Sequence, residues 1–377
     1  MIVCIVGTRA QLIKMAPVIR EAEARQYPLR LILTGQHKAS MAELLVEFSI
    51  RTQPTVLYDG SEASGILRMA GWLIRVLWRL YRNRQTYLPE CTRYPDRCVI
   101  VVHGDTFSTL LGALVGKLMG VKVAHVESGL RSFNLLHPFP EELTRLAVFR
   151  LTDIAYCPGA FACKNMIKYR SEIVDIGHNT IVDALKYALN KSTEASPGYF
   201  DGVFGVCSIH RFENIFIKSN LLRVVELIEL AAKHVGLVFV LHPPTQRRLL
   251  KCGLYERLAR NDRIVLLPRM GYTRFVGILA ASRFVITDGG SNQEELSYLG
   301  IPTLLMRKAT ERVEGLGSTV VVGEYREDTL HRFIAELATR RRGIGMDGHI
   351  APSKIIVDRL SAYVDKLPAA AASKVAS

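Results

Sequence analysis

VIVVHGDTFSTLLGALVGKLMGVKVAHVESG, residues 99–129, carries the reading of the fold. Val99, Ile100, Val101 and Val102 form an unbroken β-branched run, which suits a strand buried on both faces of a parallel sheet. The run ends in His103, Gly104, Asp105 and Thr106; residues 108–119 read as a helix and VAHVESG as the next strand. In an open parallel sheet, ligands sit beyond the carboxyl ends of the strands. Asp105 and Glu127 fall there, and Arg131, Glu141, Glu142 and Arg145 follow in close order. Acids and arginines so grouped are not core material, so they are site candidates on placement alone.

Outward from this unit, apolar runs alternate with helix-length amphipathic segments. VCIV, LILT, VIVV and VAHVE lie in the first half; VCSIH, LVFVLH, IVLL, FVIT and TLLM lie in the second. Such alternation predicts an α/β protein with parallel sheets. The strands outnumber those of one doubly wound domain, and residues 168–200 are polar and irregular enough to be a join. We expect two Rossmann-like domains with parallel sheets facing a central cleft. The N-terminal one covers 1–170 and is joined by a C-terminal helix at 353–366; the second covers 171–352, and 367–377 is a disordered tail.

The 377 residues are 49% apolar and 22% charged, which excludes disordered and fibrous classes. The chain opens directly on a strand and has no apolar run of membrane-spanning length, so a cytoplasmic location is expected. Seven scattered cysteines without a CxxC pair suggest neither a disulfide framework nor a zinc site. A net charge of +14 favours an anionic partner. The basic residues fit no nucleic-acid-reading motif, so no nucleic acid is expected. Residues 66–84 form a basic helix with Trp72, Leu73, Val76, Leu77 and Leu80 along one side. It suits weak peripheral contact with an anionic membrane, but a helix covering its own domain or a dimer partner is the preferred reading.

Two motifs are rejected on context. GIGMDG at 343–348 matches G-x-G-x-x-G but follows a basic helical end, not a strand, and GALVGK at 112–117 is one residue short of a P-loop.

Three further stretches carry chemistry. In GTRAQLIKMAP the first strand gives way to a tight turn, with Arg9 and Lys14 around the next helix start, an arrangement that attracts anions. FVITDGGSNQEELSYLG, residues 284–300, repeats the logic. The amides of Gly289, Gly290 and Ser291 can cradle a phosphate, a helix is expected from near Asn292, and Glu294 and Glu295 would occupy its first turn and reach ribose hydroxyls. The alternative is plain capping by Asp288 or Ser291. In SIHRFEN, His210 follows the strand opening the second domain, whereas His242 in VLHPPTQ reads as structural.

Taken in order, GTR-x-x-x-IK-x-AP, TGQH, HGDT, H-x-E-x-GLR, PEE-x-x-R, HR-x-EN, TD-x-G-x-x-QEE and MR-x-x-TER-x-E closely resemble the UDP-N-acetylglucosamine 2-epimerase family, from Met1 to about residue 360. The resemblance implies the GT-B arrangement, with UDP mostly on the C-terminal domain and the sugar facing the N-terminal one. It implies catalytic roles for Asp105, Glu127, Glu141 and His210. It implies UDP-sugar binding by Arg9, Lys14, Arg145, Phe275, Gly289, Gly290, Ser291, Glu295 and Arg312. The implied reaction interconverts UDP-N-acetylglucosamine and UDP-N-acetylmannosamine for surface polysaccharide synthesis. UDP leaves to give 2-acetamidoglucal and then re-adds, with no metal or other cofactor and with a homodimer as the assembly. The alternatives are a hydrolysing epimerase releasing N-acetylmannosamine, a UDP-diacetamido-uronic acid 2-epimerase, and a GT-B glycosyltransferase.

Overall fold

The computed structural model describes residues 1–35, 38–58, 66–135, 139–192, 198–200, 202–310, 312–338 and 351–364. GIGMDG and the tail at 367–377 therefore lie outside the described residues. Two compact units form, Met1–Ala184 with His349–Ser377, and Leu185–Gly348.

The first unit holds seven strands: β1 (Ile2–Val6), β2 (Leu29–Leu33), β3 (Pro54–Val56), β4 (Val99–His103), β5 (Lys122–Val126), β6 (Ile154–Cys157) and β7 (Glu172–Asp175). They pair in parallel in the order β3-β2-β1-β4-β5-β6-β7. Every residue of β1 and β4 is buried, as a central strand covered on both faces requires. Its helices include α1 (Arg9–Ala24), α2 (Ile66–Arg82), α3 (Phe107–Leu118) and α4 (Glu141–Leu151). The C-terminal helix Pro352–Val364 packs on α1.

The second unit holds six: β8 (Phe204–Ser208), β9 (Gly236–Leu241), β10 (Ile264–Pro268), β11 (Phe284–Thr287), β12 (Thr303–Leu305) and β13 (Val320–Val322). The order is β10-β9-β8-β11-β12-β13, again all parallel. One face buries Ile228, Phe239 and Phe284, the other Val206, Val238 and Val285.

In both sheets the strand order reverses once, between β1 and β4 and between β8 and β11. The crevice at the carboxyl ends of such a pair is the ligand site of a doubly wound sheet. The two-domain parallel α/β expectation is therefore met. The strands unread from sequence, β3, β6, β7 and β13, have only three or four residues each. The expected boundary at 170/171 falls between β6 and β7 of one sheet, and the second unit begins inside the helix Ile181–Lys191.

In α2, Trp72, Val76 and Leu80 are buried in the first unit's core with Leu73 and Leu77 packed beside them. The helix thus covers its own domain, as the preferred reading expects. No helix among the described residues is long and apolar enough to cross a membrane.

Candidate active site

At the carboxyl end of β1 the chain passes through Gly7 and Thr8 into α1. A Cβ on Gly7 would lie 1.9 Å from Ser108 Oγ at the start of α3, so only glycine lets the turns after β1 and β4 meet. Thr8 caps α1 and Gln11 completes the capping box. The buried Gln11 carboxamide also spans the crevice. Its oxygen accepts from Gly7 N–H at 2.9 Å, and its Nε2 donates to His103 O at 2.6 Å and to Thr106 and Thr109 Oγ1 at 3.0 Å. Arg9, the first residue of α1, lies 4.0 Å from the Glu43 carboxylate.

Lys14 lies a turn further into α1, 4% exposed, and its ammonium donates to Glu127 Oε2 at 2.6 Å. Asn179 Nδ2 donates to the same oxygen at 2.7 Å, and His103 Nε2 stands 3.1 Å from it. Glu127 follows β5 with a φ of 65°, a left-handed conformation costing about 1–3 kcal/mol in a residue other than glycine. Such strain persists where the surroundings over-determine it, and here they supply a cation and two further polar partners. Below this group lies His125, fully buried. Burial pushes its pKa down to about 4, so at neutral pH the ring is uncharged and Nε2–H donates to Gly104 O at 2.8 Å. That bond holds the turn presenting Asp105.

Asp105 Oδ2 accepts from Arg145 Nη2 at 2.5 Å. Arg145 Nη1 donates to Glu142 Oε2 at 3.2 Å, while Glu142 also accepts from Arg131 Nε and, at 3.1 Å, from Ser132 N–H. Glu142 is fully buried. Burial alone would raise its pKa; the hydrogen bonds from Arg131 and Ser132 and the charges of Arg131 and Arg145 outweigh that and hold it below the usual carboxylate range. Its neighbour Glu141 opens α4, and its Oε2 is buried with no hydrogen-bond partner among the described residues. A buried carboxylate oxygen without a donor marks a place for a proton or a ligand.

In the second unit, the chain leaving β8 and β11 carries His210 and Asp288. Asp288 is fully buried and accepts from the N–H groups of His210 (3.0 Å) and Arg211 (2.9 Å) and from Asn214 Nδ2 (2.8 Å). His210 Nδ1 faces Asp288 Oδ1 at 3.3 Å. Beyond Asp288, α5 (Gly290–Leu299) starts behind Gly289 with no side-chain cap, which leaves its first-turn amides available to an anion. A Cβ on Gly289 would meet His210 Cε1 at 2.8 Å, so this glycine lets the imidazole lie against the helix start. His242, the residue before the helix Pro243–Lys251, places its ring 4.6 Å from that of His210.

The site differs in places from the sequence expectation. The helix starts at Gly290, not near Asn292, so Glu294 and Glu295 are its fifth and sixth residues, buried, and outside the first turn. Neither Asp288 nor Ser291 caps it: Asp288 is spent on the chain after β8, and Ser291 is exposed. Glu294 instead binds Arg312 Nη1 at 2.9 Å, and Arg312 also lies 3.5 Å from Glu314. Lys14, expected around the helix start, is committed to Glu127. Phe275 is half-buried against the core of its own unit. The structure brings Asp105, Glu127 and Arg145 into one cluster in the first unit and His210, Gly289 and Gly290 into another in the second. Gln11, Asn179, Glu142 and Asp288 organise these clusters, and sequence reasoning gave none of them that role. Among the described residues no group of three His, Cys, Asp or Glu side chains could hold a metal ion.

A family model described as UDP-N-acetylglucosamine 2-epimerase matches residues 20–346. The UDP-N-acetylglucosamine 2-epimerase of Methanocaldococcus jannaschii is 31% identical over 341 residues, covering 86% of this chain and 88% of the relative. A UDP-2,3-diacetamido-2,3-dideoxy-D-glucuronate 2-epimerase of Pseudomonas aeruginosa is 32% identical over 382 residues, covering 97% and 99%. Among solved structures, the M. jannaschii UDP-GlcNAc 2-epimerase in complex with UDP-GlcNAc and UDP superposes with a TM-score of 0.78 at 28% identity, over 96% of this chain and 99% of that one.

Proposed function

The chain belongs to the UDP-N-acetylglucosamine 2-epimerase family, and from that premise we propose how its residues invert C2 of a UDP-linked amino sugar. The C2–H of an intact sugar is not acidic. Departure of UDP from C1 leaves an oxocarbenium-like centre that acidifies it, a base removes the proton to give 2-acetamidoglucal, and re-addition of UDP with protonation from the opposite face inverts the centre. Two proton carriers are needed. We assign these roles to Asp105 and Glu141, and the observation that carries the assignment is the buried Glu141 oxygen on α4 with no hydrogen-bond partner among the described residues, on the helix whose Arg145 holds Asp105. Glu127 Oε2 already faces Lys14, Asn179 and His103. It therefore acts as a fixed charge facing the cationic sugar ring, with Lys14 as its counter-ion.

Departure of UDP calls for stabilisation of a growing diphosphate charge. Arg9, His210 and the amides of Gly290 and Ser291 are the groups for it. Asp288 beside Nδ1 leaves Nε2 of His210 for the leaving oxygen. Glu295, Arg312 and Phe275 complete the nucleotide contacts in this reading, and the family resemblance adds a homodimer in the cytoplasm.

Proton NMR of the protein with UDP-N-acetylglucosamine in deuterated water tests the reading. An equilibrium mixture with UDP-N-acetylmannosamine carrying deuterium at C2 is expected. Free N-acetylmannosamine with UDP would instead make it a hydrolysing enzyme. The P. aeruginosa relative, matched over 97% of this chain, favours one second reading, a UDP-2,3-diacetamido-uronic acid as substrate. Deuterium entering that sugar alone would establish it.

A further inference from the structure

The first unit has an open surface pocket of about 580 Å³ lined by Arg131, Leu146, Arg150, Lys168, Tyr169 and Arg170, with Arg150, Lys168 and Arg170 exposed to solvent. Four of its six lining residues are cations and none is an acid. Arg150 donates to Leu146 O at 3.0 Å, Lys168 lies 5.4 Å from the centre of the Tyr169 ring, and neither has a carboxylate partner among the described residues. Arg131 differs from the others. Its Nε is on the buried Glu142 and its guanidinium lies 4.8 Å from the Phe133 ring. Its two terminal nitrogens make no hydrogen bond with the described residues.

Three guanidinium groups and an ammonium around one pocket match the oxygens of a di- or polyphosphate, which planar guanidinium forks bind bidentately. Tyr169 and Leu146 offer an apolar wall to an attached organic group. From Arg131 the ion pairs run to Glu142, then Arg145, then Asp105. An anion held by Arg131 competes with Glu142 for that guanidinium. Glu142 then draws more on Arg145, and the hold of Arg145 on Asp105 weakens.

We propose that this pocket is a regulatory site for a multiply charged organic phosphate of metabolite size, coupled to Asp105 through Arg131, Glu142 and Arg145. The binding half stands without the assignment made above for Asp105, and the coupling half rests on it. The probe is inorganic pyrophosphate, titrated calorimetrically into the full chain already saturated with UDP, so that the nucleotide site cannot take it.

One binding event is expected. It should weaken about tenfold or more in Lys168→Glu/Arg170→Glu, and measurably in Arg150→Ala, because each variant removes charge-assisted hydrogen bonds. Far-UV circular dichroism and UDP affinity of these variants should match the parent. Absence of heat, or binding unchanged in a folded double variant, overturns the site. Parallel titrations with glucose 1-phosphate and with ADP distinguish a sugar phosphate from a nucleotide as the natural source.

For the coupling, pyrophosphate should change kcat at saturating sugar nucleotide in the parent and leave the double variant unaffected. Binding without any change in kcat overturns the coupling alone. Failure of UDP itself to bind would count against the epimerase reading and leave the pyrophosphate titration legible on the unliganded protein.

Discussion

At the scale of single residues, the candidates legible in the sequence were polar groups directly following an apolar strand: Asp105 after β4, Glu127 after β5, His210 after β8. Their position needs only the period of the strand and the topology of a parallel sheet. The organisers were not legible, because their partners are far along the chain. Asp288 serves backbone 77 and 78 residues away, and Asn179 reaches Glu127 across 52. Two predictions belong here. On the proposed mechanism Asp105→Asn removes a proton carrier and keeps most of its volume, so kcat should fall about 10²–10⁴-fold while UDP affinity stays within a few fold; a large loss of UDP affinity would make Asp105 structural. His125 has its pKa lowered to about 4 by burial, against about 6.5 in the unfolded chain. Between those values the unfolded state binds the extra proton. Its contribution to stability is therefore whole above about pH 6.5 and is lost as pH falls to about 4, at up to about 1.4 kcal/mol per pH unit. In His125→Gln that part of the slope should vanish from urea denaturation run across the same range.

At the scale of elements, the central strands were plain because burial on both faces makes them continuous apolar runs, whereas β3 (PTV) and β7 (EIVD) are only partly buried and offer no such run. The start of α5 was misplaced by two residues for another reason. Asp288 and Ser291 have capping chemistry, but Asp288 is drawn to the chain after β8, and the helix begins behind Gly289 with no side-chain cap. An uncapped start with an imidazole against it is a preorganised anion site. Gly289→Ala places a methyl 2.8 Å from His210 Cε1 and must push the ring aside. Displacement of one aligned group by about 1 Å costs up to about a hundredfold, so kcat/KM should fall about ten- to a hundredfold. Thermal melting should stay close to that of the parent, since the site has an open side. A normal kcat/KM in a folded Gly289→Ala protein would remove His210 from the reaction.

At the scale of the whole molecule, the net charge of +14 and the diphosphate of the proposed substrate have opposite signs, so kcat/KM should decline as ionic strength rises from about 0.01 to 0.15 M, where the screening length contracts from about 30 to 8 Å. An unchanged value would mean that the excess charge lies away from the substrate's approach. Chain connectivity gives a stronger test. The second unit is inserted between Ala184 and His349 of the first, so the last described helix, Pro352–Val364, completes a domain begun at Met1. Ile356, Val357, Leu360 and Val364 are at most 1% exposed. Asp183 accepts from Ser353 N–H and Oγ at 2.8 and 2.5 Å, and Glu172 accepts from Arg359 Nε and, at 2.7 Å, from Tyr363 OH. Burial of four such side chains contributes roughly 6–12 kcal/mol as an upper bound, comparable to the whole stability of a typical domain, about 5–15 kcal/mol. A chain ending at residue 351 should therefore lose the first unit and keep the second. In hydrogen exchange the amides of β1 and β4 should lose protection while those of β8 and β11 retain it. Undiminished protection of β4 in the shortened chain would show that α1 and the sheet hold the turns bearing Asp105 and Glu127 without the returning helix.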